Sequence, residues 1–156
     1  MIAVIKNTPS CLIPKELFKE ELIKNYGSIL HKSSHYEYFG KDDWGNFYLI
    51  YPKPNEEDSL HEMSMMYGQF REKYPNIEHA VGMDIDDNAI RILVFKNQEI
   101  AYSGSFSYDL NEDVLYHITN ITQQFFDTNT PVDFYYQQIS PQILRLLSNY
   151  YELKPF

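Results

Sequence analysis

Three short apolar runs, separated by turn signals, constrain the fold of this chain more than any other feature of its sequence. The runs cover residues 79–86, 89–95 and 100–108. Asp87-Asn88, between the first two runs, is typical of a two-residue hairpin turn. The third run alternates small and aromatic side chains with the period of two that a strand shows. The sequence therefore predicts a three-stranded antiparallel meander.

Helix and strand signals continue after the meander. Asn111 predicts an N-cap, because the two residues that follow it are acidic and the helix dipole favours carboxylates there. A strand is predicted at 132–139, and Ser140-Pro141 predicts the start of a last helix. Residues 78–153 thus follow the order β-β-β-α-β-α of a ribonuclease-H-like unit, with the crossover helix against one face of the sheet.

The first half of the chain is less regular and predicts the order β-α-β-α. The predicted elements are a strand at 1–5, a helix that begins at Ile13-Pro14 and ends at Gly27, a strand at 47–51 and a helix at 59–73. No element is predicted in the polar region 28–45. We therefore expect an α/β fold with two domains, residues 1–77 and 78–156.

Charge and cysteine content exclude several classes of function. The 156 residues include 13 Lys and Arg against 22 Asp and Glu, which gives a net charge of -9. Such an acidic chain repels phosphate backbones and anionic lipids, so we expect no nucleic-acid partner and no membrane surface. The single cysteine excludes an internal disulfide and a zinc site built from several cysteines. Because no long apolar stretch occurs either, we expect a cytoplasmic location.

Two segments resemble a known family. Residues 7–18 (Asn-Thr-Pro-Ser-Cys-Leu-Ile-Pro-Lys-Glu-Leu-Phe) are similar to a segment that runs Leu-Val-Pro, a charged residue, then Glu-Leu-Phe. Phe106-Ser107-Tyr108, followed by residues 111–116, resembles a strand that ends Phe-x-Tyr and a helix that opens with Glu-Asp and an apolar-aromatic pair. Both resemble a bacterial domain-of-unknown-function family whose members have an actin-like ATPase fold. The resemblance covers about residues 1–153.

This resemblance implies an architecture in which nucleotide lies between two ribonuclease-H-like lobes. Residues 78–156 would form a complete second lobe, and residues 1–77 would form only the later part of a first lobe. In active members of the wider superfamily, the first hairpin of the second lobe carries an acidic residue and a Gly-rich turn around phosphate and magnesium. The same hairpin is therefore the candidate site in this chain.

Asp84 is the candidate magnesium ligand that this comparison implies, since carboxylates are the hard oxygen ligands that magnesium prefers. Asp84, Asp87 and Asn88 are the candidate cofactor-binding residues for Mg-ATP. However, Asp86 and Asp87 stand where small neutral residues would let backbone amides approach phosphate, and their charges repel a triphosphate. An ordinary turn is the alternative interpretation of the same residues.

Other chemistry-bearing residues form no complete motif. His31 and His35 would share a helix face, but no third zinc ligand lies at the spacing of a metalloprotease motif. Cys11 has no basic neighbour to activate it and is interpreted as a buried structural thiol. His61 and His117 lie in predicted helices and are interpreted as surface or half-buried residues.

A third interpretation is a ribonuclease-H-like nuclease. That chemistry needs several carboxylates that converge on two metal ions, such as Asp84 with Asp109 or Asp133. The acidic charge of the chain disfavours a nucleic-acid substrate, so this interpretation ranks last.

Aromatic residues between 36 and 51 provide the last functional signal. Tyr36, Tyr38 and Trp44 are candidates for contact with a partner, since Tyr and Trp are enriched at interfaces; a role in the core is the alternative. We therefore expect a non-catalytic actin-like protein that acts as a binding or scaffold module, with a protein partner or a second copy of itself and no cofactor. The alternative is an ATPase that uses Mg-ATP.

Overall fold

The computed structural model describes residues 3–6, 8–30 and 36–156. The chain divides into two compact units, Met1–Gln69 and Phe70–Phe156. The boundary between these units, at 69/70, lies before the lobe boundary predicted at 77/78, and the lobe boundary stays a prediction. Within the described ranges, no helix is both long and apolar enough to cross a membrane.

The first unit contains two small sheets. Its strands and helix are β1 Ala3–Ile5, β2 Cys11–Pro14, α1 Ile23–Leu30, β3 Tyr38–Trp44, β4 Phe47–Lys53 and β5 Ser59–His61, and α2 Glu62–Lys73 begins in this unit and ends in the second. β1 pairs with β5 in parallel, and β2-β4-β3 form a three-stranded antiparallel sheet. Short 3-10 turns at Lys15–Leu17 and Glu20–Leu22 precede α1.

The prediction that a helix begins at Ile13-Pro14 is wrong. Residues 11–14 form β2, in which Ile13 pairs with Tyr48 of β4, so strand pairing overrides the local helical spacing. The helix begins only at Ile23, and Gly27 lies inside it rather than at its end.

The polar region 28–45 contains a strand that the sequence did not predict. β3 lies at the edge of its sheet, where polar side chains remain in water. Lys41 and Asp43 there form ion pairs with Glu20 and Lys15, each at 2.7 Å. The hairpin to β4 turns at Gly45, whose φ of 72° is one that glycine adopts without strain.

The second unit is built on one five-stranded sheet. Its elements are β6 His79–Ile85, β7 Ala89–Lys96, β8 Glu99–Ser107, α3 Asn111–Phe125, β9 Asp133–Tyr136, α4 Pro141–Leu147 and β10 Leu153–Pro155. The sheet order is β10-β9-β6-β7-β8, in which β6, β7 and β8 are antiparallel and β9 and β10 are parallel to β6. The predicted order β-β-β-α-β-α is confirmed and continues into β10.

Alternating residues of the central strands form the core of this unit. Ile90, Ile92 and Val94 lie on one face of β7, and they belong to the same buried cluster as Val114 and Ile118 of α3. Each of these five side chains is fully buried. Burial of such side chains is the main contribution to the stability of the unit, at about 1.5–3 kcal/mol each.

The two helices of this unit begin differently. Ser140 is the N-cap of α4, as predicted, and its Oγ accepts a hydrogen bond from the amide of Ile143 at 3.3 Å. The N-cap of α3 is Leu110, not Asn111. The Asp113 carboxylate accepts hydrogen bonds from the amides of Leu110 and Asp109, so it anchors this helix start from inside the first turn.

Candidate functional site

The candidate site is the β6–β7 hairpin, whose register is set by a two-residue turn. Asp86 and Ala89 flank the turn, and the amide of Asp86 donates to the carbonyl of Ala89 at 3.1 Å. Two residues along the strands from this closing pair, Asp84 lies directly opposite Arg91. Asp87 and Asn88 form the turn as predicted, and neither has a positive φ.

The Asp86 carboxylate bonds to backbone amides of its own turn. Its Oδ1 accepts hydrogen bonds from the amides of Asn88 and Ala89, both at 2.9 Å. Burial alone would raise the pKa of Asp86, but these two amides and the Arg91 guanidinium lower it below its ordinary value. The amides that a phosphate would need in this turn therefore already have a carboxylate partner.

Arg91 joins the two acidic residues of the hairpin. Its Nη1 lies 3.1 Å from Oδ2 of Asp84, and its Nη2 lies 2.7 Å from Oδ2 of Asp86. The Arg91 side chain is 7% exposed, whereas those of Asp84 and Asp86 are 20% and 34% exposed. A buried guanidinium thus neutralises the candidate magnesium ligand from within the sheet.

The third strand of the meander leads into a further contact with the hairpin. Tyr108 follows β8 and donates its hydroxyl hydrogen to the carbonyl of Asp86 at 2.5 Å. Burial and the carboxylates of Asp87 and Asp86 raise the pKa of Tyr108 above its ordinary value. The phenol therefore stays protonated at neutral pH and keeps donating this hydrogen bond.

Metal-binding geometry is not formed at this hairpin. Among the residues that the structure describes, no three His, Cys, Asp or Glu side chains converge in a way that could hold a metal ion. Asp109 and Asp133, proposed as partners of Asp84 for a nuclease, do not join it in such a group. Asp133 instead forms an ion pair with Lys154 at 2.7 Å.

The three partner-binding candidates have different environments. Trp44 is 1% exposed, stacks on Tyr67 with ring centroids 4.4 Å apart, and donates from Nε1 to Ser64 at 3.0 Å. Trp44 is therefore a core residue of the first unit. Its side chain offers almost no surface to a partner, so the alternative role in the core replaces the predicted role at an interface. Tyr38 is half-buried on β3, and Tyr36 is 36% exposed.

Tyr36 borders a cavity in the first unit. The cavity has a volume of about 320 Å³, and its lining includes Val4, Pro52 and Glu57 beside Tyr36. These four lining residues combine an aromatic ring, apolar walls and one carboxylate at the same cavity.

The remaining candidates are structural or lie elsewhere. His31 and His35 fall outside the described residues. Cys11 is half-buried, and burial raises the pKa of its thiol to about 11, as expected of an inert cysteine. His117 is half-buried and stacks on Phe106 at 4.6 Å.

His61 is fully buried, which corrects its interpretation as a surface or half-buried helical residue. It ends β5 at 1% exposure. Its Nδ1 accepts from the amide of Met63 at 3.1 Å, so Nε2 carries the proton that it donates to the carbonyl of Thr8 at 2.8 Å. Both ring nitrogens therefore serve the fold.

Sequence reasoning did not identify Arg91 or Tyr108. A signal for Arg91 was present, because it is the single charged residue in the predicted strand 89–95 and a two-residue turn places it opposite Asp84. Tyr108 gave no comparable signal, since its partner is a backbone carbonyl that spacing does not indicate.

The pH dependence of unfolding should report the Asp86 contacts. Because folding lowers the pKa of Asp86, its stabilisation is present above the unfolded value near pH 4 and is lost as pH falls through the lower folded value. We expect Asp86→Asn to cost about 1–2 kcal/mol at neutral pH. Urea unfolding should show this difference shrinking below about pH 4. A pH-independent difference would contradict the assignment.

The fold of this chain is similar to that of a solved protein. That protein comes from Bacteroides thetaiotaomicron VPI-5482, and its crystal structure is described as that of a protein with actin-like ATPase fold and unknown function. The two align with a TM-score of 0.80 at 16% sequence identity, and the match covers 98% of this chain and 66% of that chain. This chain thus spans just under two thirds of that protein. The predicted actin-like α/β fold is confirmed.

Family comparison agrees with the fold. No curated protein matches this sequence. The family model of DUF3822, described as a protein of unknown function, matches residues 50–150. The predicted resemblance to a domain-of-unknown-function family with this fold is thereby confirmed. Because the match covers well over half of the chain, this protein belongs to the DUF3822 family.

Proposed function

We propose that this protein is a non-catalytic member of the actin-like fold that acts as a binding or scaffold module. The observation that carries the proposal is that the charged and polar groups of the β6–β7 hairpin already bond to one another. Arg91 contacts both Asp84 and Asp86, and Asp86 accepts the amides of the turn. The groups that would bind a metal ion and a phosphate in this hairpin are therefore used by the fold.

Displacement of these contacts by a nucleotide would be unfavourable. Phosphate would have to replace a carboxylate that already accepts two hydrogen bonds of 2.9 Å in a closed turn. Magnesium would have to compete with the Arg91 guanidinium for Asp84. Desolvated charge pairs of this kind are costly to break, because each separated partner stays partly buried.

The hairpin charge also opposes a nucleotide. Asp84, Asp86 and Asp87 carry three carboxylates, and Arg91 supplies one compensating charge. An excess of negative charge next to a triphosphate lowers affinity and slows association. The same excess is compatible with a protein partner whose surface is neutral or basic.

The partner-binding part of the proposal is supported by the first unit. Tyr36 is 36% exposed and borders a cavity of about 320 Å³ that also contains Glu57. Exposed tyrosines beside cavities contribute strongly to interfaces, because they bury area while their hydroxyl stays in contact with water.

The alternative function is an ATPase that binds Mg-ATP through Asp84. It is favoured by the fold, which is shared with a protein described as having an actin-like ATPase fold. A shared fold carries no activity by itself. The alternative also requires Asp84 to leave Arg91, and it therefore makes a distinct prediction for the nucleotide response.

Thermal unfolding with and without millimolar Mg-ATP tests the proposal. A ligand present at about 100 times its dissociation constant would add about 2.7 kcal/mol and raise the midpoint by roughly 5–10 °C. We expect no such shift for the wild type, nor for magnesium or ATP given alone. A shift of that size that disappears in Asp84→Asn would overturn the proposal and support the ATPase.

A further inference from the structure

We infer that the outer edge of β8 is a self-association surface, at which a second copy of this chain adds its own β8 in antiparallel orientation. The proposed axis passes at Gly104, so Gly104 of one copy faces Gly104 of the other. The inference rests on the proposed binding function and names the partner as the chain itself. It uses residues of the second unit only.

β8 is a long edge strand that is interrupted by one bulge near its start. It spans nine residues at the end of the five-stranded sheet and is hydrogen-bonded on one side, to β7. Natural edges are usually blocked by short length, Lys, Pro or a bulge. No Lys or Pro occurs between Ile100 and Ser107, and Ser105 and Ser107 are exposed. The strand therefore offers a row of main-chain groups for pairing.

A bulge defines which part of the edge is regular. Val94 pairs with Tyr102 and Phe95 pairs with Ile100, so Ala101 is the extra residue on β8. Pairing with β7 is regular from Tyr102 to Ser107. Bulges interrupt the ladder and increase the local twist, so an added strand would pair with this regular part.

The regular part is a near-palindrome around Gly104. Residues 102–106 read Tyr-Ser-Gly-Ser-Phe, which is aromatic, serine, glycine, serine, aromatic. A two-fold axis at Gly104 pairs Tyr102 with Phe106 of the second copy, and Ser103 with Ser105 of the second copy. An isologous interface requires such self-complementarity, and aromatic pairs across strands are favourable.

Both aromatic residues already lie on the helix-covered face of the sheet. The Tyr102 ring lies 5.6 Å from that of Phe125, and the Phe106 ring lies 4.6 Å from that of His117. Their directly opposed partners in the second copy would lie on the same face, because antiparallel pairing keeps opposed side chains together. The pairing thus extends the sheet without turning either copy over.

Charge does not oppose a second copy at this edge. The chain carries a net charge of -9, so most contacts between two copies bring like charges together. No charged residue occurs from Ile100 to Tyr108, and the nearest charges along the strand, Glu99 and Asp109, lie about equally far from the axis at the two ends of this strip, with Glu99 before the bulge. This strip is therefore a part of the surface where two copies meet without direct charge repulsion.

Sedimentation velocity over micromolar to submillimolar concentration tests the inference. We expect the wild type to shift from 18.5 kDa toward twice that mass as concentration rises. Ser105→Lys should weaken the dimer about tenfold, since the axis doubles each substitution and places the two lysines diagonally across the strands, within reach of like-charge repulsion. Thr128→Lys adds the same charge at an exposed site off the edge and should leave the dimer intact. Ser105→Thr, a β-favouring neutral change, should also retain it.

Each outcome separates this inference from the proposed function. A wild type that stays at 18.5 kDa throughout would overturn the inference, and the absence of a Mg-ATP shift would still support a binding module for another partner. A dimer that Ser105→Lys leaves unchanged would overturn the assignment to β8. Unchanged thermal unfolding of dilute Ser105→Lys would show that any loss of dimer is not a loss of fold.

Discussion

Replacement of Arg91 by methionine is expected to lower the free energy of unfolding by about 2–4 kcal/mol. The guanidinium is 7% exposed and forms ion pairs with Asp84 and Asp86. Methionine fills a similar volume but leaves both carboxylates uncompensated beside β7, whose central residues are buried. Urea unfolding followed by far-ultraviolet circular dichroism at neutral pH measures the loss.

A neutral version of the same hairpin is the control for this experiment. Combining Arg91→Met with Asp84→Asn and Asp86→Asn removes all three charges, while the side-chain amide oxygen introduced at position 86 can still accept the turn amides. We expect stability within about 1 kcal/mol of the wild type, because replacement of a whole charge group is often neutral. A single Arg91→Met variant as stable as the wild type would contradict the internal role of this cluster.

Replacement of Gly40 by alanine is the second large effect, with an expected loss of about 2–4 kcal/mol. Gly40 pairs directly with Tyr51 across β3 and β4. A Cβ at Gly40 would lie 2.2–2.6 Å from the Tyr51 ring and hydroxyl. The ring cannot move away easily, because it is 1% exposed and its hydroxyl lies 3.1 Å from Asp42 Oδ1 and 2.8 Å from the Ser59 carbonyl.

The loss of stability in Gly40→Ala can be measured in the first unit itself. Trp44 is the only tryptophan of the chain and lies in the same unit, so its fluorescence reports unfolding there. Gly68→Ala is the matched control, because a Cβ at Gly68 inside α2 would meet nothing within 4 Å apart from its chain neighbours and the backbone of its own helix. That variant should gain about 0.5–1 kcal/mol, since alanine favours helix. Equal effects of the two substitutions would contradict the packing argument.

The second half of the fold follows from local sequence signals. Turn residues, alternating strands and a helix with a regular apolar face occur in order between His79 and Leu147, and each element pairs or packs with one nearby in sequence. β10 was not predicted because it has three residues and its pairing with β9 depends on a tertiary contact.

The first half depends more on tertiary pairing. β2 has the local spacing of a helix, and it is a strand because β4 pairs with it. β3 is polar and contains Gly40, so no apolar period marks it. Single-sequence patterns do not indicate which strand a polar segment will pair with.

Sequence reasoning named the β6–β7 hairpin as the candidate site, but it did not predict the contacts that its side chains make. Resemblance indicated the hairpin and Asp84, and composition indicated that two further aspartates would repel phosphate. The contacts of Arg91 with Asp84 and Asp86 depend on strand register and rotamers, which composition does not report. The burial of Trp44 could likewise not be predicted from the sequence, since indole rings are found both in cores and at interfaces.

Isothermal titration of the wild type with Mg-ATP is the sharpest test of the proposed non-catalytic role, because it measures nucleotide binding without reference to stability. We expect no saturable heat, with the same result for Asp84→Asn, because Arg91 already pairs with Asp84 and Asp86 already accepts the turn amides that a nucleotide needs. A one-site binding curve for the wild type that Asp84→Asn abolishes would overturn this role and identify the protein as a nucleotide-binding member of its fold.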